Sequence, residues 1–149
     1  VSDPQSLLSD SALTAFRLNG QFLAVAEALA APAGLTATRW QVLGAVLPEP
    51  LSVSDIARVM GITRQSVQRT ADLLAEAGLV AYRNNPAHRR AKLVEVTPEG
   101  REAVRGIDPQ HAEFARRLTE VLGTTRWTEI VAGLHELSSA LDSLDGQPD

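Results

Sequence analysis

Cysteine is absent from the 149 residues. That excludes disulfides, thiolate metal sites, cysteine nucleophiles and thiol redox switches together. No apolar run approaches the roughly 18 residues needed to span a membrane. The first residues, Val1-Ser2-Asp3-Pro4-Gln5, lack the basic segment that opens a secretory signal. A cytoplasmic protein with no membrane partner is the expectation. Histidine is scarce, at positions 88, 111 and 135 only. There is no glycine-rich phosphate loop, nucleophile elbow or HExxH, so no catalytic residue is assigned and no enzyme is expected. Zinc needs three or four converging ligands. His111 and His135, even with Glu113 or Glu136, fall in different segments without a paired spacing, so no metal and no cofactor is expected.

Positive charge is in short supply overall but is unevenly spread. The formal net charge is −4. Residues 1–50 carry 2 basic and 4 acidic groups, residues 51–97 carry 7 and 4, and residues 98–149 carry 5 and 10. A basic middle flanked by acidic ends implies one anion-attracting face.

The pattern along the chain is mainly helical. Residues 6–30 contain no proline, and their apolar positions cover most of a helix circumference, so this helix must be buried in its own core or against a second chain. Thr36 caps a second helix to about Leu47. Ser52 caps a short third helix that ends at Gly61, where a C′ glycine belongs. A longer helix from Arg64 to Ala77 closes at Gly78. Strands at Leu79–Arg83 and Ala91–Thr97 then flank a turn-rich loop, residues 84–90, with a basic tip. Thr97 and Pro98 start another helix, and Gly106-Ile107-Asp108-Pro109 predicts a break or kink in it. A last helix over about 126–144 has Ile130, Leu134, Leu137, Leu141 and Leu144 in a heptad seam.

A short helix, a three-residue turn, a longer helix and a basic hairpin make a winged helix-turn-helix. On a helical wheel of 64–77, Val67, Thr70, Ala71, Leu74 and Ala77 share one side. Gln65, Gln68, Arg69, Asp72 and Glu76 lie opposite. The first half of the exposed face is polar and basic and the second half acidic, so only the N-terminal half suits a DNA groove. Arginine can bridge guanine O6 and N7, and glutamine adenine N6 and N7. Ser66 and Arg64 border that face, and a helix N-terminus favours phosphate. An arginine on the wing, Arg89 or Arg90, has a use in the adjacent minor groove, and His88 adds a phosphate contact. The candidate DNA-binding residues are thus Arg64, Gln65, Ser66, Gln68, Arg69, His88, Arg89 and Arg90.

Four segments carry a family resemblance: Leu35–Leu43 (LTATRWQVL), Ile56–Arg69 (IARVMGITRQSVQR), Leu74–Val80 (LAEAGLV) and Arg89–Gly100 (RRAKLVEVTPEG). Together they resemble the MarR family of transcriptional regulators over nearly the whole chain. The resemblance implies a mainly α fold with a small β-hairpin wing. Residues 35–97 would form the winged helix-turn-helix and residues 1–34 and 98–149 a helical dimerisation region, in a single intertwined domain. It further implies a homodimeric repressor or activator, with repression the expectation here, on a palindromic double-stranded operator DNA. Many members release DNA on binding a small aromatic or phenolic ligand. The recognition helix matches at Arg64 through Arg69 and the wing arginine at Arg90. One departure is His88, where the family often has an acidic residue that braces the wing. Phe16, Arg17 and Trp40 are the candidates for an effector cleft, against a plainer reading as packing and solvated residues. The rival function is a winged-helix module that binds protein rather than DNA.

Overall fold

Five side-chain caps set the helix starts. Asp3, Thr36, Ser52, Thr63 and Thr97 each accept the backbone N–H three residues on, from Ser6, Arg39, Asp55, Ser66 and Gly100, at 3.1–3.2 Å. Each satisfies a donor that the first helical turn leaves unpaired. The structure, a computed structural model, describes residues 3–144. Its elements are α1 (Pro4–Ala30), a 3-10 turn (Ala31–Ala33), α2 (Ala37–Val46), β1 (Leu51–Ser52), α3 (Val53–Met60), α4 (Arg64–Glu76), β2 (Val80–Asn85), β3 (His88–Val96), α5 (Pro98–Leu122) and α6 (Thr124–Leu144). The chain divides into two compact units, Val1–Pro109 and Gln110–Asp149.

The first unit is a winged helix-turn-helix. Its core gathers Val42, Leu43 and Val46 of α2, Ile56 of α3, Val67, Ala71 and Leu74 of α4, Val80, Val94 and Val96 of the sheet, and Val104 and Ile107 of α5. Burial at these spacings is the expected apolar face of each helix, and every other residue of each strand. Ala77 leaves the pattern: it caps α4 from an exposed position. Gly61 closes α3 at φ 67°, a left-handed conformation that glycine adopts without strain, and three residues then separate α3 from α4. A less expected clamp holds α2: the Glu27 carboxylate of α1 accepts the Ala37 N–H at 2.8 Å. Gly100 marks a close approach, because a Cβ there would lie 2.1 Å from the Leu79 carbonyl oxygen.

One expectation from the sequence is extended and two are corrected. The expected hairpin is formed by β2 and β3, and β1 adds to it, making a three-stranded antiparallel sheet in the order β1-β3-β2. Leu51 and Ser52 pair with Val94 and Leu93. A two-residue strand has no periodicity to read and exists only because β3 offers it an edge. The loop at 84–90 is also shorter than expected. Asn85 pairs with His88, leaving only Pro86 and Ala87 between the strands, and the Asn85 side chain accepts the Ala87 N–H at 3.0 Å. Arg89 and Arg90 therefore lie within β3 rather than at the tip. Finally, α5 runs unbroken through Pro109. Proline removes one donor there, but the turns on either side keep theirs. The boundary between the two units falls just after this residue.

The second unit consists of the C-terminal part of α5 and α6, joined at Gly123 (φ 80°). Arg116 pairs with Glu113 at 2.7 Å and with Glu120, and Arg126 pairs with Glu129 at 3.1 Å. No residue of α6 is buried, and Ile130, Leu134, Leu137, Leu141 and Leu144 are all exposed. Leu8, Leu13, Phe16 and Phe22 of α1 are likewise exposed.

Candidate nucleic-acid interface

The N-terminal turns of α3 and α4 and the inner side of β3 enclose a groove of about 640 Å³. Ser52, Val53 and Ser54 form one side; Arg64, Gln65 and Gln68 come from α4; Tyr82, Arg90, Ala91 and Lys92 come from the sheet. Strand alternation explains Tyr82, Lys92 and Arg90 of the last group; Ala91, between the two cations, lines the groove as well, where the pairing of β2 with β3 shifts register. Directly paired residues of antiparallel strands point to the same side. Val80 pairs with Val96 and Tyr82 with Val94, and these four define the side that packs on the helices. Lys92 and Arg90 continue that side of β3 past the end of the core, over the start of α4. Arg89 belongs to the other side.

The groove gathers Arg64, Gln65, Gln68 and Arg90 of the residues expected from the sequence. It does not gather the rest. Ser66 is half-buried, and its backbone is engaged at both ends: its N–H donates to Thr63 and its carbonyl accepts from Thr70. Arg69 is exposed one turn beyond Gln65, outside the groove lining. His88 acts locally, its Nδ1 accepting the Ala91 N–H at 3.2 Å. That is a bracing contact in the place where an acidic residue was the expected brace. Lys92, Tyr82 and Ser54 were not anticipated. Period-two alternation outward from Val96 and Val94 was the signal for Lys92.

Charge pairing among the arginines of this unit is uneven. Arg58 is paired with Asp55 at 3.1 Å and Arg83 with Glu95 at 3.3 Å. Among the described residues, no carboxylate pairs with Arg64, Arg69, Arg89, Arg90 or Lys92. The one carboxylate on the exposed face of α4 near the groove, Asp72, is held by two donors. The Tyr82 hydroxyl donates to it, and the Gln68 amide donates to it at 3.0 Å. These bonds, Tyr82 first and Gln68 second, hold the Asp72 carboxyl below its ordinary pKa. Burial and the same carboxylate push the Tyr82 phenol well above its own. Three cations beside two amides at a helix N-terminus can take phosphate and present hydrogen-bonding edges to bases.

The effector candidates are placed but not gathered. Phe16 and Arg17 are exposed on α1, and Trp40 packs half-buried against the core. No group of three or more metal-ligating side chains occurs among the described residues. Nor is any helix among them long and apolar enough to cross a membrane.

The sequence model of the MarR family matches residues 33–91, from the end of the 3-10 turn into β3. An uncharacterized protein of Mycobacterium tuberculosis is 37% identical over 107 residues, covering 72% of this chain and 75% of that one. The chain belongs to the MarR family. A further relative is the transcriptional activatory protein BadR of Rhodopseudomonas palustris, 30% identical over 115 residues, which cover 74% of this chain and 65% of that protein. Solved structures of transcriptional regulators share the fold. BldR of Sulfolobus solfataricus superimposes with a TM-score of 0.81 at 19% identity, covering 93% of this chain and 99% of that one. A mutant of E. coli MarR complexed with operator DNA gives 0.77 at 18% identity, covering 91% and 99%.

Proposed function

We propose that this MarR-family chain is a sequence-specific DNA-binding regulator that acts as a homodimer on an inverted-repeat operator. The observation that carries the reading is the convergence of Arg64, Arg90 and Lys92, none of them ion-paired, on one groove beside Gln65 and Gln68. Unpaired like charges repel one another until an anion arrives, and a phosphate backbone supplies anions at regular spacing. Arg64, Arg90 and Lys92 set position and register, and Gln65 meets base edges. Arg69, Ser66 and His88 would lie at the margin, where DNA-backbone contacts fall, and Arg89 would stay off the DNA. Solution of this chain in complex with DNA is not needed to test the reading. Mobility shift against the DNA upstream of its own gene, at two salt concentrations, should give a discrete complex that weakens steeply with salt. No salt-sensitive complex would transfer the groove to an acidic protein partner.

The homodimer is supported by the large apolar side chains left exposed along α1 and, separately, along α6, which a second copy would cover. A two-fold axis would set two recognition helices into successive major grooves about 34 Å apart. A dimer seated there blocks other proteins from the same DNA, which is the simplest form of repression. An in-vitro transcription assay separates repression from activation. Release by a small aromatic or phenolic ligand is the accompanying proposal; Phe16, Arg17 and Trp40, which one protomer does not bring together, are its candidate residues, with Arg17 as the anion partner. A screen of hydroxybenzoates for loss of the mobility shift tests it, and Arg17→Ala should abolish any such loss. The protein would work in the cytoplasm, with the DNA it regulates.

A further inference from the structure

The groove is assembled from separate elements: Arg64, Gln65 and Gln68 come from α4, and Arg90 and Lys92 from β3. The stretch of β3 that carries the two cations is loosely tied to its own sheet. Arg83 pairs with Leu93 and Asn85 with His88, so one residue of β2, Asn84, stands opposite four of β3, Arg89 to Lys92. Such a bulge leaves backbone outside the ladder and bends its strand. Core packing also stops short of it, because Val94 is the last buried residue of β3 before the tip. Tyr82 pairs with Val94, and at that level its hydroxyl donates to Asp72 Oδ1 on α4. The bond therefore joins the root of the bulge to the helix that supplies the facing side of the groove. The Gln68 amide nitrogen lies 3.0 Å from each of the two oxygens and can serve either. The bond from Tyr82 to Asp72 stands without it.

We propose that Tyr82 and Asp72 are positioning residues, a clamp that holds the wing cations Arg90 and Lys92 at a fixed offset from the side chains of α4, so that both sides of the groove meet one DNA duplex together. Two contact sets joined rigidly bind as a unit, because the second engages without paying again for its placement. A wing loosened at its root would pay that ordering cost at every encounter. Neither residue needs to touch DNA for this role. Asp72 repels phosphate, and the single Tyr82 hydrogen is spent on Asp72. The inference rests on the DNA reading above and adds to it which residues make one site out of two elements.

The test is a double-mutant cycle with the full chain on one labelled duplex from the upstream DNA, at low salt. Tyr82→Phe keeps the ring and removes the clamp, and affinity should fall about two- to tenfold, the worth of one hydrogen bond. In a background that carries Arg90→Ala and Lys92→Ala there is no wing contact left to place, and the same change should cost nothing measurable. In a Gln68→Ala background it should cost as much as in wild type. An equal loss with and without the wing cations is what a general loss of stability would give, and it overturns the proposal. So does a loss that vanishes with Gln68→Ala instead, or no loss in wild type. Asp72→Asn and Asp72→Leu control for charge: both remove it, but only Asn leaves an acceptor for the hydroxyl. Asn should bind more tightly than Leu by the same factor, and equal binding would count against the clamp. Tyr82 is the chain's one tyrosine, so a ¹³Cζ label gives a single resonance that reports the bond directly. Asp72→Leu should move it, and an unmoved resonance also overturns the proposal. Failure of the wild type to bind any upstream DNA would instead place the fault in the DNA reading, and the role of the clamp would fall with it, whatever the resonance showed of the bond.

Discussion

Arg89 and Arg90 are adjacent, carry the same charge and differ in which side of β3 they occupy. Only Arg90 lines the groove. Replacing either by alanine changes net charge equally, so long-range attraction to DNA falls by the same amount and placement is the only variable. Each phosphate neutralised contributes about 0.9 to the slope of log affinity against log salt. A dimer carries every substitution twice, so Arg90→Ala should flatten the slope by about 1.8. Across a fourfold range, from about 50 to about 200 mM salt, wild type should then lose about twelvefold more affinity than the variant does. Arg89→Ala should keep a slope near that of wild type. Fluorescence anisotropy on one labelled operator at four salt concentrations measures both. Equal flattening by the two variants would refute the assignment from strand alternation. No flattening by Arg90→Ala would remove the wing from DNA.

Leu137 lies in the exposed apolar seam of α6. Leu137→Glu would bury an unpaired carboxylate at the dimer interface, costing at least about 3 kcal/mol and weakening the dimer over a hundredfold. Light scattering should show monomer at micromolar concentration, and an unchanged dimer would move the interface elsewhere. Gly100→Ala forces a methyl group against the Leu79 carbonyl oxygen, 2.1 Å away. A loss of about 1–3 kcal/mol is expected in urea denaturation. Gly106, also in α5, has open space around its Cβ position, so Gly106→Ala should stabilise by about 0.5–1 kcal/mol. The Tyr82–Asp72 bond should be pH-dependent at both ends. The folded pKa of Asp72 is lowered, chiefly by Tyr82, so its contribution is complete above the unfolded value and lost as pH falls through the lower folded one. The folded pKa of Tyr82 is raised, chiefly by burial, so its contribution is complete below the unfolded value and lost as pH rises through the higher folded one. The Tyr82 ¹³Cζ shift should stay flat between those limits, and a step near neutral pH would contradict the assignment.

Most helix starts were legible because their signals are local. A cap, three residues and an apolar face are enough, as at Thr36, Ser52 and Thr97. The buried face of α4 was readable for the same reason. What escaped depends on a partner distant in sequence. β1 exists through Leu93 and Val94, some 40 residues away. The Glu27 bond to Ala37 crosses from one helix to the next. Tyr82 meets Asp72 only after the wing folds beside α4. The turn-rich composition of residues 84–90 disguised two strands, because Asn85 and His88 pair across a turn that needs only Pro86 and Ala87. Strand alternation outward from Val96 would have separated Arg90 from Arg89 and added Lys92. It was obscured by placing both arginines in a loop, where side chains have no fixed side.

The groove cations are separable from what holds the fold together. The starts of α2, α4 and α5 are fixed by Glu27, Thr36, Thr63 and Thr97, and the wing is held by Val80, Val94 and Val96 in the core. Arg64, Arg90 and Lys92 cap no helix, pair with no carboxylate among the described residues and are exposed. Removing one leaves no buried group without a partner, so stability should change by no more than about 0.5 kcal/mol. Removal also relieves repulsion between like charges, which shifts the balance toward stabilisation. Of the other arginines, Arg58, Arg83, Arg105, Arg116 and Arg126 each have a carboxylate beside them, whereas among the described residues no carboxylate pairs with Arg17, Arg39, Arg101 or Arg117. What sets the groove apart is that three unneutralised cations line it together, which is locally unfavourable. Such conflict between local preference and the rest of the fold is where a functional site is expected. Loss of DNA binding in a groove variant that melts like wild type would therefore report on the interface alone.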